Sequence, residues 1–306
     1  MILNGGKING WINFNKPEGL SSFKCVYLIK KIIKINKIGH AGTLDPLASG
    51  VLPIALGEAT KTIRFAFENE KTYFFRINWG SETSTDDKEG EVINSSIQRP
   101  NKKSILEKIK LFKGEIFQKP PIYSAIKING RRAYEVARSG KIPKLKERKI
   151  KIYDFDLLKI INKNEAEFFV KCQKGTYIRS LARDLGRELG VFGHISHLKR
   201  ESVGNFLKKQ SISLDQIEKL SHNSAEQDII KPILYPINKN DIVEVSKETS
   251  DNLAKGKKLT IENLIDKFDF DRIKVGSFFI VSLKNNPTAI CLKEDGFVKP
   301  KRVFNI

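Results

Sequence analysis

Between Gly39 and Pro53 the chain carries one acid, Asp45, among three glycines, two prolines and His40. Such a run suits a loop whose backbone must hold a single carboxylate in one place. Pro46 pushes Asp45 out of the helical region and into an extended or turn conformation. A lone, fixed carboxylate of this kind is a candidate nucleophile or electrostatic stabiliser. The same residues also fit an ordinary turn in which Asp45 caps a short helix starting at Pro46.

The elements that must position this loop are legible on either side. Trp11–Phe14 reads as a short strand that enters a turn at Pro17-Glu18-Gly19. Ser21 or Ser22 then caps a helix whose inward face is predicted to carry Phe23, Val26, Ile29 and Ile33, with Lys24, Lys30, Lys31 and Lys34 outward. Tyr73, Phe75, Ile77 and Trp79 alternate with polar or opposite-face residues, the pattern of a strand. Ser81–Gly90 reads as an acidic loop, and Ile105, Ile109 and Phe112 as one face of a helix ending at Gly114. Residues 149–160 and 166–172 read as two more strands. Leu181, Leu185 and Leu189 share a helix face, stopped at Gly190. Pro232, Pro236 and Asn238–Asn240 mark a linker, followed by short strands over residues 241–306.

Lysine and arginine number 55 against 35 acids, a net charge of +20. That balance favours a polyanionic partner, nucleic acid first. Residues 119–151 hold eleven basic residues against Glu135 and Glu147, interleaved with Tyr123 and Tyr134. Cations mixed with aromatics suit phosphate contacts with base stacking better than a plain linker. Cys25, Cys172 and Cys291 are odd in number and far apart, which argues against a disulfide framework and fits a reducing cytoplasm. The first seven residues have no apolar leader core, and no apolar run approaches the ~20 residues of a membrane helix. No GxxxxGK[ST], GxGxxG after a strand, or GxSxG is present, so NTPase, dinucleotide-binding and serine-hydrolase readings lack support. His194 and His197 form an HxxH without a companion cysteine or acid cluster.

His40–Pro46 followed by Gly57-Glu58-Ala59-Thr60-Lys61 closely resembles the catalytic signature of the TruB family of tRNA pseudouridine synthases. Asn15–Ser22, Lys71-Thr72-Tyr73, Pro120–Lys127 with Tyr134–Arg138, Lys174–Leu181 and His197–Arg200 resemble the family's other motifs, in order. The resemblance spans roughly residues 10 to 205. It implies an α+β pseudouridine synthase fold, with a mixed central sheet, flanking helices and RNA-binding loops. Residues 1–238 would be the catalytic domain, with 119–151 as its RNA-clasping insertion. Residues 239–306 would form a small PUA-like β domain.

By resemblance Asp45 is the essential aspartate, and Arg179 pairs with it. Tyr73, Tyr177 and Leu198 would stack on and wall in a flipped uridine, and His40 would occupy the space it leaves. Asp87 resembles a member of the family's acidic loop. Lys199-Arg200-Glu201 departs from the usual pattern after His-Leu, where a second arginine would contact phosphate. The implied reaction isomerises uridine to pseudouridine at position 55 in the TΨC loop of tRNA. The base stays in the site, so no cofactor is expected. Expected partners are the tRNA T-arm alone, without guide RNA, membrane or obligatory protein. A non-catalytic RNA-binding protein and the guide-RNA-dependent branch of the superfamily are the rival readings. The acid loop argues against the first, and a start close to the first motif against the second.

Overall fold

A computed structural model describes residues 8–128, 130–220, 229–264 and 270–306. The leader assessment of the first seven residues lies outside them.

The main sheet uses β1 (Gly10–Lys16), β2 (Ile38–His40), β3 (Ala48–Leu56) and β4 (Lys71–Trp79). A hairpin of β5 (Ser81–Thr83) and β6 (Val92–Ser95) follows, then β7 (Gly114–Gln118) and a second hairpin of β8 (Lys127–Ile128) and β9 (Arg131–Arg132). β10 (Arg148–Asn162), β11 (Glu165–Cys172), β12 (Gly193–Val203), β13 (Phe206–Leu207) and β14 (Ile230–Lys231) complete the set. The order is β14-β1-β3-β12-β4-β11-β10-β7, with β2 added to β3 and β13 to β12. Its pairings are antiparallel except β12 beside β3, so the sheet is mixed as expected.

One face is covered by α1 (Ser22–Ile33), α3 (Lys102–Lys108), α5 (Ile178–Glu188) and α6 (Leu214–Leu220), with α2 (Ile63–Glu68) and, after the β8–β9 hairpin, α4 (Ala133–Arg138) lying elsewhere. β4 alternates buried and half-buried along its whole length, and Phe75, Phe155 and Phe168 meet under the helices with centroids 5.5–5.9 Å apart. On the other face Trp11, Val51, Ala55 and Phe206 pack with Ile233, Ile237, Ile280, Ile290 and Phe304. The last three belong to the C-terminal segment, whose five strands form their own sheet. The stretch read as a linker is therefore seated: Trp11 Nε1 donates to Ile233 O at 3.1 Å and Asn69 Nδ2 to Pro236 O at 2.9 Å. Among the described residues no helix is long and apolar enough to cross a membrane.

Three local expectations change. The α1 face is turned: Ser22, Cys25 and Ile29 are buried and Phe23 is 79% exposed. Ser22 causes the turn, because its hydroxyl accepts from Leu44 N at 2.8 Å and donates to Leu44 O at 2.9 Å. Polar satisfaction outranks apolar periodicity there. Asp45 caps no helix; Ala48 N donates to Asp45 O and the chain turns straight into β3. The Ser81–Gly90 run is partly β5, and Glu82, Asp86 and Asp87 are buried. Replacing Ser22 by Ala leaves both Leu44 backbone groups short of a partner. Stability should fall by about 1–3 kcal/mol, read as a lower urea midpoint at unchanged slope; an unchanged midpoint would show that the hydroxyl does not hold the loop.

Candidate active site

The Asp45 loop runs from β2 to β3, and β3 is pinned to β12. Gly50 sits at φ +103°, and a Cβ there would come 2.2 Å from Arg200 O, so only glycine lets the two strands close. Across the sheet Gly50, Arg200 and Tyr73 are in register, and Leu198 stands opposite Phe75. Tyr73 and Leu198 therefore reach the same end of the sheet as Asp45.

Arg179, in the first turn of α5, grips Asp45 with both arms: Nε to Oδ2 at 2.9 Å and Nη2 to Oδ1 at 3.2 Å. Its remaining hydrogens are shared. Nη1 donates to Thr85 O at 2.8 Å and lies 3.6 Å from Asp87 Oδ2; Nη2 also donates to Tyr123 O at 2.9 Å. Arg179 is 5% exposed, whereas the Asp45 side chain is 36% exposed. The carboxylate is thus held from behind and open in front. A bidentate fork of this kind fixes orientation as well as charge.

The acidic loop stands behind Arg179. Asp87 accepts from Thr85 Oγ1 at 2.6 Å and from Glu89 N at 3.0 Å. Asp86 meets Arg183 at 2.9 Å, and burial pushes its carboxyl up to about 6 against the pull of that arginine. Arg183 and Ser180 both donate to Lys119 O, and Gln118 exchanges two hydrogen bonds with the backbone of Tyr177. The start of α5 therefore ties the acidic loop, Asp45 and the root of the 119–147 excursion into one unit.

A cleft of about 800 Å³ opens in front of Asp45. Tyr73, Tyr177, Arg179 and Leu198 line it, as do Tyr123, Lys127, Arg132, Tyr134, Arg138 and Arg148. Burial pushes the Tyr73 hydroxyl up to about 12, with the Arg200 guanidinium acting in the opposite direction; burial also raises Tyr177. His40 is the exception among the expected residues. It lies on β2 outside the cleft lining, with Nδ1 buried and unpartnered and its pKa lowered by burial and then by Arg200. Lys71 and Arg200, quoted within motifs but given no site role from sequence, also line the cleft. Arg200 is 1% exposed, while Lys199, which stands where the family's arginine would be, pairs with Glu201 at 2.5 Å. Lys71 lies in the Lys71-Thr72-Tyr73 motif, whereas the place of Arg200 follows only from the register of β12 with β3 and β4.

Cations, tyrosines and the Asp45 carboxylate face the same space, a lining whose chemistry suits a phosphate-bearing chain with flat rings. A family profile described as TruB family pseudouridylate synthase (N terminal domain) matches residues 30–178, and one described as tRNA pseudouridylate synthase B C-terminal domain matches residues 179–240. The chain belongs to the TruB family of pseudouridylate synthases, which are isomerases. It is 40% identical to tRNA pseudouridine synthase B of Ehrlichia canis (strain Jake), over 97% of this chain and 98% of that one. It is 38% identical to the protein of the same name from Bartonella tribocorum, over 99% and 98%. Among solved structures it resembles a chain of a Cbf5–Nop10–Gar1 complex, with TM-score 0.75, 26% identity, and coverage of 97% of this chain and 85% of that one.

Proposed function

We propose that the protein converts uridine to pseudouridine at position 55 of tRNA, within the T-arm, and that Asp45 is the group acting at the ribose. The observation that carries the reading is the Arg179–Asp45 fork at the back of a cleft rimmed by cations and tyrosines. Near-full-length likeness to proteins named tRNA pseudouridine synthase B supports tRNA as the substrate. The proposal also takes in action without guide RNA, residues 1–238 as the catalytic domain, 239–306 as the PUA-like one, and a cytoplasmic setting.

The target base must leave its stack, which costs a few kcal/mol. Tyr73 and Tyr177 offer flat faces in return, worth about 1–3 kcal/mol per stacked base, and Leu198 walls the pocket. Asp45 meets C1′ as the glycosidic bond opens, by attack or by stabilising the cationic sugar. Arg179 holds the carboxylate on line, and Asp87 and Thr85 hold Arg179. His40, outside the cleft lining, would act only once the RNA displaces the loop. No redox step or external energy source is needed, because the base never leaves the site.

The direct test is carbodiimide–primer-extension mapping of a tRNA transcript incubated with the purified protein and no added cofactor. A new stop at position 55 is expected. Binding without any stop would instead favour a non-catalytic RNA-binding protein. The 119–147 excursion is tested by salt. Lys127 and Arg131 are exposed, whereas Arg132 also donates to Ala125 O and shapes the hairpin. Replacing Lys127 and Arg131 by alanine should weaken tRNA binding and lower the slope of log affinity against log salt by about 0.7–0.9 per lost phosphate contact. An unchanged slope would mean that these charges are merely solvated.

A further inference from the structure

Two buried cations at the floor of the cleft have no task in the reaction as described. Lys71 is 5% exposed; its Nζ donates to Phe67 O at 2.9 Å and Asn69 O at 2.8 Å and lies 5.1 Å from the Phe67 ring centroid. Arg200 is 1% exposed; its Nε donates to Val51 O at 2.7 Å and its Nη2 to Gly42 O at 2.9 Å. Among the described residues neither lies within salt-bridge distance of a carboxylate: Glu68, the acid that acts on Lys71, pairs with Lys174, Asp45 is held by Arg179, and Arg200 meets the Tyr73 side chain. The two cations converge on Gly42 of the Asp45 loop: a Cβ there would lie 3.5 Å from Arg200 Nη1 and 3.7 Å from Lys71 Cε. Both line the cleft together with Tyr73. Burial pushes the Lys71 ammonium down to about 8, and neighbouring Arg200 adds to that push. Carbonyl oxygens offset only part of the cost of burying like charges side by side. Such a floor is built for an anion.

The isomerisation supplies one, and the argument rests on that reading of the site. When the N1–C1′ bond breaks, its electron pair stays on N1. The base is then a uracil anion, with charge spread over N1, O2 and O4. After the base turns, a C5–C1′ bond forms, the C5 proton leaves, and N1 takes up a proton, so product and substrate contain the same atoms. Between those events the loose anion must neither escape nor take its proton too early. We propose that Lys71 and Arg200 form a cationic floor that holds the uracil anion between bond cleavage and rejoining. They act as fixed charges aimed at where negative charge develops, themselves shielded from water by burial. Asp45 serves the sugar half of the reaction, and Lys71 and Arg200 serve the base half.

The test compares two leaving groups on one enzyme preparation. Single-turnover consumption of the target nucleoside is timed with tRNA transcripts carrying uridine or 5-fluorouridine. Fluorine makes the departing anion less basic, so it needs less help from a cation. The ratio of the two rates is independent of how much of the preparation is folded. Lys71→Gln and Arg200→Gln should each slow the uridine reaction about 10²–10³-fold, leave tRNA binding within a few-fold, and raise the fluorouridine-to-uridine ratio at least about tenfold. Arg200→Lys, which keeps the charge, should recover most of the uridine rate. Equal slowing on both substrates would overturn the proposal and leave the cations as props for the Gly42 loop, and so would an unchanged uridine rate. A parent protein that leaves uridine untouched in tRNA would instead sink the functional reading beneath it.

Discussion

Asp45→Asn should abolish pseudouridine formation, by about 10⁴-fold or more, while tRNA still binds within a few-fold. The substitution is nearly isosteric and removes one charge from a side chain that is 36% exposed at the front. Arg179 keeps Thr85 O and Tyr123 O as acceptors, so its place at the start of α5 is retained. The melting temperature should accordingly change little. The measurement is single-turnover conversion of radiolabelled tRNA beside a filter-binding curve on the same preparation. Substantial turnover by the Asn variant would remove Asp45 from the chemistry and reopen the non-catalytic reading.

Arg179→Met should lower both rate and stability, and the two losses can be separated. Turnover should fall about 10²–10³-fold, the usual loss when one preorganised charge is taken from a reacting group. Stability should fall by about 3 kcal/mol, because Asp87, 3% exposed, loses its cation. The lower end of the range applies, since Thr85 and Glu89 N still hold Asp87 and Asp45 is open to water on one side. Arg179→Lys restores charge without the fork, so it should recover most of the stability and little of the rate. Urea unfolding and single-turnover rates on both variants decide the matter. A Met variant that unfolds early but turns over normally per folded molecule would make Arg179 a structural residue only.

Much of this arrangement was legible in the chain. Local motifs marked the Asp45 loop, and strict alternation marked β4. The structure brings Asp45, Tyr73, Tyr177, Arg179 and Leu198 to one cleft. What escaped were features set by partners distant in sequence. Phe23 faces outward because Ser22 answers to Leu44, which no helical period can reveal. Ser81–Gly90 read as an acidic loop, and nothing local to it shows that Asp86 and Asp87 are buried against Arg183 and Arg179 of α5. Arg200 gave no sign of burial, because a strand arginine shows none until its register opposite Gly50 and Tyr73 is known. His40, whose expected place is the space a flipped uridine leaves rather than the pocket it enters, sits on β2 outside the cleft lining.

The fork between Asp45 and Arg179 joins positions 134 apart in the chain, and the Arg200–Val51 bond spans 149. The two family segments also meet between Ile178 and Arg179, so the fork crosses that seam. During synthesis the carboxylate therefore emerges long before the arginine that orients it. Contacts of such wide separation form slowly, after the loop-closure entropy has been met. On the proposed reading, a nascent or truncated chain ending before α5 would carry Asp45 without the arginine that fixes it, and so an unassembled site. Reactivity is thus among the last properties the folding chain acquires.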